Sequence, residues 1–220
     1  MRTLTKWMGL GVAALGVGAT IAVGSTPGSA QVRGPDDVAN VTAILDAMRG
    51  TAPIPCGLAL TMMEGNGWGN RSPGHAADQD PGVERIRDWL EHPITDPAVV
   101  PLLRTALAPG DGCVRQTAAR LLGRTRHPRA VSALTDALRE ADPTTRALGA
   151  LGLGFSEGPG VFEPLVGALR DGEAPVRANA ALALGQLGDH RALPMLVPLL
   201  KNDRVASVRE AAALALGELD

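Results

Sequence analysis

The chain has 220 residues, a net charge of −2, 45% hydrophobic residues, only 2% aromatic residues and no tyrosine. That length suffices for one domain with a buried interior. With so few rings, Ala, Leu and Gly must fill that interior, which suits close helix packing and argues against an aromatic-rich β-sandwich. The slightly acidic balance excludes the usual footprint of a nucleic-acid binder, whose affinity comes largely from neutralised phosphates.

Residues 1–30 read as a targeting segment rather than as part of the fold. Arg2 and Lys6 give a short positive start, Trp7 to Val23 is uncharged, and Ser25 to Ala30 supplies small residues around Pro27. We expect a signal peptide cleaved after Ala30, a periplasmic or secreted protein, and no stable membrane insertion afterwards. A retained anchor is the alternative, because the uncharged stretch approaches the ~20 residues that span a bilayer; its four glycines make a weak span.

Residues 31–96 read as a helical cap. Asp36 to Arg49 has Val38, Val41, Leu45 and Met48 on one helical side, and further helices are expected at Cys56 to Glu64 and Val83 to Leu90. Gly65 to Gly74 between them is rich in turn formers and reads as a surface loop. This region is either a divergent repeat or a separate element. Export gives Cys56 and Cys113 two readings: a disulfide, as an oxidising compartment favours, or two small buried residues.

From residue 97 onward the sequence repeats. Arg115, Arg146, Arg177 and Arg209 are spaced 31, 31 and 32, and Gly123, Gly154, Gly185 and Gly217 keep the same intervals. Leu122, Leu153, Leu184 and Leu216 form a third column, and a second motif between them places Leu134, Leu165 and Leu196 at intervals of 31. Each motif has helical periodicity; Val176, Ala180, Ala183, Leu184 and Leu187 share one face. Pro143, Pro164 and Pro194 fit first turns, where no amide bond is lost, and Pro198 predicts a kink or a shortened helix. Alanine at 118, 119, 180, 181, 212 and 213 predicts close helix approach. Four helix pairs are expected, at 98–123, 129–154, 161–187 and 192–219, with Arg209, Glu210 and Glu218 giving the last helix a polar face suited to a terminal cap.

Val176-Arg177-Ala178-Asn179-Ala180-Ala181-Leu182-Ala183-Leu184-Gly185-Gln186-Leu187-Gly188-Asp189, continued by Arg191-Ala192-Leu193-Pro194, resembles HEAT repeats of the short type found in phycobilisome lyases. The resemblance covers about residues 97–219 and implies an all-α solenoid of stacked antiparallel helix pairs, with the Val-Arg helix of each pair on the concave side. It also implies a structural role for Arg115, Arg146, Arg177 and Arg209, each pairing with an aspartate of a neighbouring turn; Asp111, Asp142, Asp171, Asp189 and Asp203 are the available partners. The HEAT-like deoxyhypusine hydroxylases hold iron with His-Glu pairs, and this chain has no His-Glu dipeptide. Nor does it contain a His-Glu-x-x-His stretch or a cysteine pair of metal spacing. No cofactor, metal or catalytic residue is expected.

One column departs from the family pattern. The position two residues before the repeated leucine, usually polar, is Arg120, Leu151, Leu182 and Leu214. On a helical wheel Leu182 points away from Ala180 and the buried face, and Leu148 and Phe155 flank the second copy. These residues predict an apolar stripe along the concave groove, with Thr117, Arg120, Arg124, Asn179 and Gln186 around it. The opposing reading is that neighbouring helices cover them. Contiguous exposed apolar surface marks a binding site, so the expected function is a scaffold holding a protein or peptide. A small-ligand accessory protein and a self-assembling structural element are the alternatives.

Overall fold

The computed structural model describes residues 36–50, 56, 94–125, 127–156 and 158–219. The chain divides into two compact units, Met1–Arg33 and Gly34–Asp220, and every described residue belongs to the second. The expected signal peptide, the Gly-rich loop at 65–74, the helix expected at 83–90 and all but Cys56 of the helix expected at 56–64 lie outside the described residues.

Helix α1 spans Asp37–Met48, and four helix pairs follow. They are α2 Val99–Ala106 with α3 Gly112–Arg124, α4 Pro128–Ala137 with α5 Pro143–Gly154, α6 Phe162–Ala168 with α7 Ala174–Gln186, and α8 Leu193–Asn202 with α9 Ala206–Gly217. A 3-10 turn, His190–Ala192, leads into α8. Sequence chemistry sets many of these ends. Asp111 accepts the Cys113 and Val114 amides at 2.9 and 3.1 Å, and Asp142 accepts those of Thr144 and Thr145 at 3.2 and 3.0 Å. Both satisfy amides that a helix start leaves unpaired, and Pro143 occupies a first-turn position. After α7 the chain turns at Gly188, whose φ of 64° is the left-handed conformation glycine tolerates best.

Within each pair the leucine columns meet. Leu103, Leu134, Leu165 and Leu196 on the even-numbered helices are completely buried, as are Leu122, Leu153 and Leu184 on the odd-numbered ones. Each burial stabilises by about 1.5–3 kcal/mol. The odd helices α3, α5, α7 and α9 also lie side by side in close contact, whereas α4, α6 and α8 are splayed apart. A layer packed more tightly than its neighbour is the inner side of a curve, so the odd helices line the concave face.

The glycine column explains how tightly they pack. A Cβ added at Gly123 would lie 2.1 Å from the Gly152 carbonyl oxygen, and one at Gly185 would lie 2.6 Å from Ala215 Cα. At Gly154 it would meet Ala183 Cα at 3.0 Å. Each of these glycines is where one odd helix crosses the next, and any side chain would push them apart. Around Gly217 nothing lies within 4 Å.

The start of the array is sealed. Helix α1 packs on α3 and α2, burying Val41, Ile44 and Leu45. Buried Asp37 accepts the amides of Thr95 and Asp96 at 3.1 Å each, and a parallel bridge joins Ile94 to Thr125. Cys56 and Cys113 are joined by a disulfide with Cα atoms 5.8 Å apart. Equivalent positions in separated repeats would be too distant for such a bond; Cys56 instead lies just beyond α1, which lies against the Cys113 helix.

Helix α8 runs through Pro198 for ten residues, so of the kink or shortening expected there the shortening does not occur; the alanine expectation also needs correction at one position. Pro194, whose carbonyl loses its intrahelical donor, is solvent-exposed, which makes the loss tolerable. Of the alanines expected at helix contacts, Ala118, Ala119, Ala180, Ala181 and Ala212 are completely buried, but Ala213 is exposed because no helix follows α9 among the described residues.

Candidate binding face

The repeated arginines join one repeat to the next. Arg177 grips Asp203 through two parallel bonds, Nε to Oδ2 at 2.8 Å and Nη2 to Oδ1 at 3.0 Å, while its Nη1 donates to the carbonyls of Asp171 and Gly172. Arg146 does the same one repeat earlier, holding Asp171 at 2.8 and 3.1 Å and the carbonyls of Glu140 and Ala141. Arg115 binds Asp142 at 2.7 Å, the Thr145 hydroxyl at 2.9 Å and the Leu107 carbonyl at 3.0 Å. Each arginine thus secures its own turn through carbonyls and the following turn through a carboxylate. Charge-assisted, two-pronged pairs of this kind are stronger than neutral hydrogen bonds.

Their effect on acidity is consistent. Arg146 holds Asp171 below the usual aspartate range, and Arg177 does so for Asp203. Asp142 is lowered strongly, first by the Thr145 hydroxyl and then by Arg115. Arg209 differs: its Nη1 donates to the Asp203 carbonyl at 2.9 Å, with no carboxylate across from it among the described residues. Of the other aspartates, Asp189 pairs with Arg191 two residues on, and Asp111 accepts the Gly50 amide.

The apolar column partly reaches solvent. Leu151 and Leu182 are half-buried at the edge of the core, and Leu214 is 59% exposed. Half-buried Phe155 sits beside them with the guanidinium carbons of Arg120 and Arg124 each 5.8 Å from its ring centroid. That geometry suits a cation–π contact and presents an aromatic edge flanked by positive charge.

Leu148 does not belong to this face: it is only 5% exposed. Its equivalent one repeat later, Asn179, contacts the preceding odd helix. Asn179 donates to the Ala147 carbonyl at 2.8 Å, bracing α7 on α5, and Thr117 is completely buried. Thr117 therefore does not line the groove, whereas Asn179 is half-buried and Gln186 exposed.

The sequence reading missed two clefts beside the connector from α5 to α6. One, of about 700 Å³, is lined by Thr125, His127, Val131, Ser132, Asp136 and Arg139 on one side and Ser156, Gly158, Pro159, Gly160 and Pro164 on the other. The second, about 500 Å³, lies between Phe155, Phe162, Gln186 and Arg191; Arg191 stacks 4.3 Å from the Phe162 centroid. Gly158, Pro159 and Gly160 of this connector line both clefts. His127 caps α4, its Nδ1 accepting the Arg129 amide at 3.2 Å. Among the described residues no group of three or more His, Cys, Asp or Glu is arranged to hold a metal ion, and no helix is long and apolar enough to cross a membrane.

Comparison with known proteins agrees with this architecture. A family model for HEAT repeats matches residues 88–154 and 137–217. Among solved structures, the complex of CpcE and CpcF of phycocyanin lyase from Nostoc sp. PCC7120 is similar with a TM-score of 0.49 and 20% identity, over 81% of this chain and 99% of that one. Human deoxyhypusine hydroxylase in complex with glycerol gives a TM-score of 0.46 and 18% identity, over 81% of this chain and 73% of that one. No curated protein matches. With its matched repeats spanning more than half the sequence, the chain belongs to the HEAT-repeat family.

Proposed function

We propose that this protein is an exported interaction scaffold, without catalysis of its own, that holds a protein or peptide segment along the concave face. The observation carrying this reading is the column Leu151, Leu182 and Leu214, which brings apolar side chains to the surface of three successive odd helices. A segment lying across them would contact one leucine per repeat, with Phe155 and its two arginines as a mixed apolar and cationic end. Rigid secondary structure holds all of these positions, so little ordering is needed on binding.

The test is a pull-down from the exported fraction of the source cells, comparing the protein with its Leu182→Ser/Leu214→Ser variant. A partner retained by the first and lost by the second, at unchanged melting temperature, supports the groove. Equal retention by both places binding elsewhere. The two clefts beside the 155–161 connector favour a second reading, an accessory protein that holds a small ligand. Saturable binding of a small molecule, lost in an Arg191→Ala variant and kept in the leucine variant, would select it.

A further inference from the structure

The end of the array shows a second surface, independent of the groove. In α7, the face carrying Arg177, Ala181 and Gly185 is covered by α9. The equivalent face of α9, with Arg209, Ala213 and Gly217, has Ala213 and Gly217 exposed, whereas Ala181 and Gly185 are buried. Moreover, Val197, one of the two large apolar residues most exposed among those described, lies on the same last hairpin at 37% exposure. Arg209 is in the column whose other members each take a carboxylate from across the interface.

We propose that this face pairs with its counterpart on a second copy of the chain, α9 against α9, antiparallel about a two-fold axis. The charges determine the register. Arg209 and exposed Glu210 are adjacent, so an axis passing between them places each arginine opposite the other copy's glutamate. The same register sets Ala206 opposite Ala213, joining small exposed residues where the helices must approach. The contact is self-complementary, as a two-fold interface requires. At the other end of the described residues, Asp111, in the position that would receive an arginine from an earlier repeat, already accepts the Gly50 amide, and α1 packs on α3.

Sedimentation velocity over a concentration series tests this with the whole protein. The expected result is a reversible dimer, lost in Ala213→Glu, which alters an exposed position and leaves the melting temperature of the chain unchanged. Glu210→Arg is likewise expected to be monomeric, and the Arg209→Glu/Glu210→Arg swap to regain the dimer. A protein that stays monomeric up to several hundred micromolar overturns the proposal and leaves the face to a chain of different sequence. A dimer unaffected by Ala213→Glu also overturns it, as does a swap no better than the single variant.

Discussion

The two ends of the array treat the same interface differently. At the start, Asp111 accepts the Gly50 amide, α1 covers α3, and a disulfide fastens the chain beyond α1 to the helix beneath. At the far end, α9 exposes the alanine and glycine whose counterparts in α7 are buried, and Arg209 is half-buried with a carbonyl partner in place of a carboxylate. The difference shows which repeated residues act only through a neighbour. Arg177 and Gly185 have purpose because α9 is present; Arg209 and Gly217, the same residue types in the same columns, make none of those contacts.

The comparison is broken most severely at the arginines. Arg177→Ala would leave Asp203 with its carboxylate only 7% exposed and unpaired, costing about 3–5 kcal/mol. Arg209→Ala, which loses one bond to a carbonyl, should cost about 1 kcal/mol. Urea denaturation of both variants measures the difference, and equal losses would show that the ladder does not depend on the following repeat.

The disulfide comes next. Replacing Cys56 and Cys113 with serine opens a loop of 57 residues in sequence and should lower stability by about 2–4 kcal/mol. The loss should appear as increased proteolysis around α1, with α9 unaffected. Gly185→Ala should destabilise by about 1–3 kcal/mol through overpacking against Ala215. Gly217→Ala, in open space, should instead stabilise by up to about 1 kcal/mol through helix propensity. Opposite signs for one substitution in one column are the sharpest form of the contrast.

Acid gives the mildest perturbation. Asp142, Asp171 and Asp203 are all held below the usual aspartate range in the folded protein. Their contribution is complete above the unfolded aspartate value of about 4 and is lost as pH falls through the folded values. Thermal melts between pH 7 and pH 2 should show stability falling below about pH 4. Arg177→Ala should flatten part of that fall, because the burial that raises the Asp203 pKa is then no longer outweighed by the guanidinium that lowers it.

The helix pairs were legible because several residue columns share one period, and a period survives local ambiguity. The arginine pairing came from resemblance to the family; the particular aspartate each one takes depends on how far successive turns lie apart. The glycines were visible as a pattern, but their reason lies in the backbone of the next helix, which no single repeat contains. Of the groove column, Leu151 and Leu182 are half-buried and Leu214 exposed, whereas Leu148 is buried. Helical periodicity tells one face from another within a helix, but not which neighbour covers it. The cysteine pairing depended on α1 folding back beside α3, a contact that no local signal encodes.

The ladder also gives unfolding a direction. Each arginine reaches only its own turn and the next, so a disturbance in one repeat weakens its neighbour and fades further along. With α3 covalently fastened and the outward face of α9 exposed, local opening should start at α9 and move inward. Amide hydrogens would then exchange in a graded order along the chain, those of α9 first and those of α3 last, so that the array wears from its free end like a rope spliced only at the other.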